Sequence, residues 1–264
     1  MLGDTGQEDQ MENHGQTDHS QMKLGRRAVK TDSRTLKLSN YVKPTLPPAP
    51  PTSDWTRGVT SWGLMLNDHL GDCTIAGIGH AIQVWSANTG TMVTVPDPVI
   101  LSYYEKWDGY NPANPATDTG GIEMDVLKDW QKQGFDGHKL IAFADPVWTR
   151  LEEIRQAIHL FGGVYIGLNL PLSAQTQDVW DVIPNGGPNT QPGTWGGHCV
   201  FVPAYDQNGF NCITWGMLKT ITNAFWSEYV DEAHALLSQD WLEKKGSPAG
   251  FDLTQLQADL SLIR

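Results

Sequence analysis

The sequence predicts an α+β fold in which a helical layer and a sheet layer come from different parts of the chain. Residues 74–88 carry apolar side chains at helical spacing, which indicates an amphipathic helix early in the chain. Later, residues 163–170 alternate as a strand. Residues 198–205 and 210–216 are two apolar runs separated by an Asp-Gln-Asn-Gly turn, as in a β-hairpin. Because helices precede strands instead of alternating with them, the two layers should be segregated.

Each predicted element begins or ends at a recognisable signal. Asp72 or Cys73 begins the first helix, and Asp97 followed by Pro98 begins the second. Gly134 ends the third helix, and residues 173–197 are a polar loop rich in Gln, Asn, Pro and Gly. The predicted helices cover residues 74–88, 98–107, 122–134, 148–161, 222–243 and 252–262.

Charge and composition divide the chain into four parts. Residues 1–21 hold five acidic and no basic residues and should be a disordered tail. Residues 22–53 form a basic, proline-rich arm that we expect to lie on the acidic body. Residues 54–229 should form the main domain, and residues 230–264 a C-terminal helical extension that packs on it. One apolar stripe in that region is expected to cover the sheet or to contact a partner subunit: Trp226, Tyr229, Val230, Ala233, Leu236, Leu237 and Trp241.

Several classes of function are disfavoured by composition. A net charge of −12 argues against a nucleic-acid partner. No apolar run reaches the roughly 18–20 residues of a membrane span, and the N-terminus lacks a signal sequence, so we expect a cytoplasmic protein. Three cysteines cannot form a disulfide framework, and no metal-binding motif or cofactor fingerprint is present.

Cys73 and His198 are the candidate reactive pair. Cys73 opens an amphipathic helix, where the helix dipole and free N–H groups stabilise a thiolate. His198 begins a strand after Gly196 and Gly197, and these small residues allow another chain to approach the imidazole. The two remaining cysteines, at positions 199 and 212, lie inside apolar strands and should be inert.

Five motifs in the correct order resemble the papain-like cysteine peptidases, over about residues 54–229. They are Asp54-Trp55, the Asn67 to Cys73 block, Asp118-Thr119-Gly120-Gly121, Gly197-His198 with Tyr205 after the strand, and Thr214-Trp215-Gly216. The resemblance implies a two-layer fold with a cleft between a helical part, with its central helix starting at Cys73, and an antiparallel sheet. It also suggests a divergent bacterial or phage-type member, which would be virion-associated if phage-encoded.

The resemblance also implies the roles of the site residues. Cys73 would be the nucleophile and His198 its base, as a thiolate–imidazolium pair. Asn67 stands where the family has a Gln that donates to the oxyanion. Gly120 and Gly121 would leave room for an extended substrate backbone, and Trp215 would shield the histidine from water.

Three departures from the family pattern bear on activity. The family orients its histidine with an Asn, and counting along the hairpin from His198 places Thr214 at that position, whereas aligning on Trp-Gly places Ile213 there. Strand alternation lets only one of these two side chains face His198. Thr74 follows Cys73 where the family has Trp. Residues 22–53 are too short and too proline-rich for a helical inhibitory prosegment.

The resulting hypothesis is a cysteine-dependent peptidase or amidase that acts on an extended peptide or protein substrate without a cofactor. The missing Asn favours a second hypothesis, a catalytically weak or inactive binding module on the same fold. A thiol acyltransferase is a third possibility, because transfer and hydrolysis pass through the same thioester.

Overall fold

A computed structural model describes residues 18–44, 46–246, 248 and 250–263. The helices are α1 Cys73–Thr89, α2 Asp97–Tyr103, α3 Glu123–Gln133, α4 Leu151–Phe161, α5 Asn223–Tyr229, α6 Gln239–Lys245 and α7 Leu253–Ile263. The strands are β1 Ser53–Asp54, β2 Leu140–Ala144, β3 Val164–Leu170, β4 Val179–Trp180, β5 Gly196–Tyr205, β6 Gly209–Thr214, β7 Met217–Thr222 and β8 Val230–Ser238. The predicted α+β fold with a helical part and a sheet part is confirmed.

One sheet organises the molecule, in the order β2-β8-β3-β5-β6-β7-β4, with β1 on the end of β5. All its pairings are antiparallel except that of β4 with β7. α1 packs against β5, and a Cβ at Gly77 in the second turn of α1 would lie 3.5 Å from Cys199 Sγ, so the starts of α1 and β5 lie at the same end of the interface. The sheet therefore brings two sequence-distant segments, near residues 73 and 198, to one place.

Two apolar cores hold these layers. The first includes most of α1 together with side chains from α3 and the sheet. The second includes the opposite face of β3 and β5 with parts of α4 and α5. Residues 73–85 of α1 are all buried, so this helix has no solvent-facing side over its first three turns.

The helix predicted over residues 222–243 is wrong in its middle part. The chain is helical only in α5 and α6, and β8 lies between them, paired with both β2 and β3. In a short run that is buried on both faces, the spacing of apolar residues cannot distinguish a strand from a helix. The spacing of Ala and Leu over residues 230–238 therefore led to the wrong prediction. The third strand of the hairpin region, β7, was also missed.

This strand corrects the proposed boundary at residue 230, because β8 is part of the central sheet and not of a helical extension. The seven-residue apolar stripe is buried within the chain, so it forms core and is not a free surface for a partner.

The predicted tail of residues 1–21 falls largely on residues 1–17, which lie outside the described residues. Residues 18–21 contain a turn, and His19 is buried with its ring 5.3 Å from that of Trp215. The tail boundary at residue 21 is therefore too late. The proline-rich part of the arm lies along the body as expected, since Tyr205 donates a hydrogen bond to the Pro50 carbonyl at 2.8 Å. Among the described residues, no helix combines the length and apolar character needed to cross a bilayer.

Candidate active site

Cys73 is the first residue of α1, as the sequence predicts. Asp72 precedes it as the N-cap, and its carbonyl accepts hydrogen bonds from the backbone of Ile75 and Ala76. Tyr165 on β3 donates to the Thr74 carbonyl at 2.7 Å, which fixes the first turn of the helix to the sheet. The backbone of Cys199, the residue that follows His198, lies close to the Cys73 sulfur and partly offsets the rise in the pKa of the thiol. The thiol therefore lies directly beside the strand that carries the histidine.

His198 is held by two contacts from the end of β6. Its Nε2 lies 2.7 Å from Thr214 Oγ1, and its ring stacks on Trp215 with centroids 4.7 Å apart and planes 19° apart. Of the two candidate positions, the strand alternation brings Thr214 to the imidazole, whereas Ile213 is buried in the core on the α1 side. His198 Nδ1 is buried and has no hydrogen-bond partner among the residues that the structure describes.

Burial keeps both members of the pair neutral in this structure. It raises the pKa of the Cys73 thiol to about 12, and it lowers the pKa of His198 to about 3, with a further contribution from the positive charge of Arg26. A reactive cysteine is usually partly exposed, and from its place at a helix start we expected the same of Cys73, but only 1% of it is accessible. Burial also raises the pKa of Cys199 and that of Cys212, so the pKa does not single out Cys73 in this state.

Asn67 is near the site but its amide is already engaged. Its Nδ2 donates to the Leu70 carbonyl at 3.1 Å and to Asp72 Oδ1 at 3.2 Å. Both N–H bonds of the side chain are thus used within the loop that precedes α1, and neither is free for an oxyanion. The shorter side chain of Asn, compared with the Gln of the family pattern, fits this inward engagement.

Gly120 and Gly121 form the wall of the cleft opposite His198, and a network that the sequence did not reveal holds them there. The Tyr104 hydroxyl donates to Asp118 Oδ1 at 2.6 Å and accepts from the Gly120 N–H at 3.0 Å. The same Asp118 oxygen accepts from the Gly71 N–H at 2.9 Å. The glycine turn is therefore fixed relative to the loop that carries Cys73.

A segment of the N-terminal arm, residues 23–27, lies across the cleft, and we call it the cleft segment. On one wall, Gly121 N–H donates to the Gly25 carbonyl and the Arg27 N–H donates to the Gly121 carbonyl, both at 2.8 Å. On the other wall, the Arg26 N–H donates to the Gly197 carbonyl at 3.0 Å. The segment is thus an extended peptide held on both sides by glycines.

The cleft segment covers Cys73. The backbone of Gly25 contacts the Cys73 sulfur, and Trp215 Nε1 donates to the Lys23 carbonyl at 3.2 Å. A side chain at position 25 has no space, because its Cβ would lie 1.6 Å from the Gly71 carbonyl oxygen. We expected residues 22–53 to be too short and too proline-rich for a helical inhibitory prosegment, and residues 23–27 are extended instead of helical. They nevertheless lie in the cleft over Cys73.

The arm lies on the acidic body, as expected, but Arg26 is buried instead of solvated. It reaches a group of acidic residues that includes Glu232. Glu123, Glu232 and His234 offer three potential metal ligands within 4.8 Å of one another. The guanidinium of Arg26 already supplies a positive charge there.

Sequence reasoning gave no role to Gly25, Arg26 and Tyr104, and it named Asp118 only as part of a motif, without its hydrogen bonds to Tyr104 and Gly71. The sequence shows that the arm is basic. It does not show that Arg26 binds Glu232, which lies about 200 positions later in the chain. The one local signal was Gly25 itself, which precedes Arg26 and Arg27. A glycine can mark a position where the backbone approaches another part of the chain too closely for a side chain.

Comparison with solved structures identifies the fold, although no protein-family model matches the sequence and no curated protein matches it. Xylellain, a cysteine protease from Xylella fastidiosa, is similar with a TM-score of 0.62 and 13% identity, over 82% of this chain and 96% of that chain. Procathepsin B S9 from Trypanosoma congolense has a TM-score of 0.55 and 11% identity, over 88% and 91%. Procathepsin L 3 of Tenebrio molitor has 0.53 and 12%, over 83% and 76%. The chain therefore has the papain-like cysteine protease fold.

Proposed function

We propose that the protein is a cysteine-dependent hydrolase that cleaves amide bonds in extended peptides, with Cys73 as nucleophile and His198 as its base. The observation that carries the proposal is the cleft segment: an extended peptide lies over Cys73 and its backbone is hydrogen-bonded on both sides. The similarity to solved cysteine proteases supports the same class of chemistry. In this proposal the cleft segment blocks the site until it is displaced.

The reaction begins when a substrate replaces the cleft segment. His198 Nδ1, which has no partner among the described residues, accepts the thiol proton of Cys73, while Thr214 holds Nε2. The Sγ–C bond forms at the substrate carbonyl, whose π electrons move to oxygen. The C–N bond then breaks, and the imidazolium gives its proton to the leaving amine. Water attacks the thioester with His198 as base, which releases the carboxylic acid and restores the thiol.

Backbone N–H groups at the start of α1 supply the oxyanion stabilisation in this mechanism. The first N–H groups of a helix have no partner inside it, and they point at charge that develops near the N-terminus. Asn67 contributes only if its amide releases Leu70 or Asp72. This side chain is therefore the weakest part of the proposed machinery.

The engaged amide of Asn67 favours the alternative of a non-catalytic binding module. A cleft that binds an extended peptide, has a neutral thiol and has its Asn67 donors engaged is suited to holding a peptide without cleaving it. Acyl transfer shares the acyl-enzyme with hydrolysis and differs only in the acceptor, so it is distinguished by adding an amine nucleophile.

Mass spectrometry of a mixed peptide library tests the proposal. The protein is used as Gly25→Ala, which we expect to displace the cleft segment, and it is compared with Gly25→Ala/Cys73→Ser. We expect new termini that depend on Cys73, and transfer products when an amine is added if the enzyme is an acyltransferase. Alkylation of Cys73 without any cleavage would support the binding module instead.

A further inference from the structure

The guanidinium of Arg26 lies in a pocket beside the cleft. Its Nη1 donates to Glu232 Oε1 at 2.5 Å, and its Nη2 donates to Asp231 Oδ2 at 2.9 Å and to Asn169 Oδ1 at 3.1 Å. Asn169 also donates to Asp231 Oδ2 at 2.6 Å, which orients that carboxylate. Only 1% of the Arg26 side chain is accessible.

The floor of the pocket is formed by Glu123 and Gly167. Glu123 is fully buried next to the Cys199 thiol, and neither of its carboxylate oxygens has a hydrogen bond of normal geometry from the described residues. Gly167 on β3 leaves the space that the guanidinium fills, since a Cβ there would lie 2.7 Å from Arg26 Nη1. The pocket is therefore shaped for the end of a long side chain.

Asp231 and Glu232 need a positive charge in this pocket, because both accept hydrogen bonds from the guanidinium of Arg26. Burial, and then the neighbouring Glu232, raises the pKa of Glu123 well above its usual range, so its neutral form is favoured and adds no third negative charge. His234 is a second cation close to Glu123 and Glu232, but Asp145 lies 2.7 Å from its Nδ1 and shares its charge. When Arg26 leaves, the pocket loses its direct cation, and an uncompensated buried carboxylate is strongly destabilising.

The geometry of the acceptors favours a guanidinium over an ammonium group. Glu232 accepts from one terminal nitrogen of Arg26, and Asp231 and Asn169 accept from the other. A planar fork satisfies acceptors in these two directions at once, whereas a lysine offers a single point charge. The backbone on either side of this side chain is bound by Gly121 and Gly197, so any extended peptide in the same place directs one side chain into the pocket.

We propose that the pocket formed by Glu123, Asn169, Asp231 and Glu232 is an arginine-specific subsite, and that the substrates of the enzyme are peptides that place an arginine there. This inference rests on the proposed hydrolase function. Arg26 then occupies the subsite in the resting protein and competes with the substrate arginine.

The first experiment probes the pocket without catalysis. Full-length Arg26→Ala is melted with and without millimolar ethylguanidinium chloride, with ethylammonium chloride as the matched cation. We expect ethylguanidinium to raise Tm more than ethylammonium does, and neither to act on the wild type or on Arg27→Ala, whose arginine is exposed. Equal effects of the two cations, or stabilisation by Zn²⁺ instead, would overturn the proposal. If Arg26→Ala does not fold, Arg26→Met keeps the apolar stem, and recovery of folded protein only with ethylguanidinium supports the pocket.

The second experiment measures specificity in the Gly25→Ala protein. Cleaved peptides are resynthesised with each arginine replaced by citrulline, which keeps the shape and removes the charge. We expect kcat/KM to fall about 100-fold at one arginine position, as when a buried charge pair loses a partner. Glu232→Gln should reduce this preference, whereas Glu105→Gln, which changes an exposed residue, should not.

The outcomes separate the two proposals. Cleavage that ignores arginine overturns the subsite and leaves the hydrolase intact. Selective stabilisation by ethylguanidinium without cleavage of any peptide overturns the hydrolase and supports the pocket as a guanidinium site.

Discussion

Replacement of Gly25 by alanine should open the active site while leaving the body of the protein folded. Gly25 rests on the loop before Cys73, and a Cβ at this position would lie 1.6 Å from the Gly71 carbonyl oxygen and 2.2 Å from its carbon. These are backbone atoms that cannot move aside without disturbing α1, so the cleft segment must leave. Gly90 has open space around it and provides the matched control, Gly90→Ala.

The size of the effect follows from the contacts that are lost. Four hydrogen bonds hold the backbone of the cleft segment, from Gly121, Arg26, Arg27 and the Trp215 indole. At about 1 kcal/mol net for each bond, they keep the site closed by about 4 kcal/mol. We treat the ion pairs of Arg26 as offset by the cost of ordering the segment. A difference of this size corresponds to about 10³-fold in the open fraction.

The assay is the rate of alkylation of Cys73 by iodoacetamide, followed by peptide mass mapping at neutral pH. Gly25→Ala should react about 10³-fold faster than the wild type, Gly90→Ala should react like the wild type, and Gly25→Ala/Cys73→Ser should not react. Equal rates in Gly25→Ala and the wild type would refute the view that this segment limits access. Simultaneous labelling of Cys199 and Cys212, which are buried in the sheet, would indicate unfolding instead.

Three further outcomes are expected. In the Gly25→Ala protein, Thr214→Val should lower the kcat of the proposed hydrolysis about tenfold with little change in Tm, because His198 loses one orienting hydrogen bond, whereas Thr214→Asn should retain or raise kcat. His19→Ala should speed alkylation of Cys73 about 3–10-fold by removing the ring contact with Trp215. Burial disfavours charge on His234, but its acidic neighbours raise its pKa to about 10. The protonated form of His234 therefore stabilises the fold fully below pH 6.5, and this contribution is lost as the pH rises towards 10. His234→Gln should therefore flatten the fall in Tm between pH 6.5 and 10, and an unchanged slope would contradict the assignment.

The local parts of the fold could be predicted from the sequence because neighbouring residues decide them. The turn before Cys73 and the apolar spacing after it place the start of α1, and the bounds of α3, α4 and β3 follow from glycine punctuation and periodicity. The resemblance to the family reduced the partner of His198 to two candidates, Ile213 and Thr214, and the alternation of side chains along a strand allowed only one of them to face the imidazole. The order of five motifs identified the type of fold, which structural similarity at 11–13% identity bears out.

Only the tertiary structure decided how the site is closed and which charges meet. Residues 230–238 have the spacing of a helix, but β2 and β3 hydrogen-bond both of their edges, and this pairing makes them β8. Arg26 lies about 200 residues from Asp231 and Glu232, and no local pattern encodes a contact over that distance. Burial keeps Cys73 and His198 neutral, because the free energy of a charge depends on the water and the charges around it, and these are set by the folded chain as a whole.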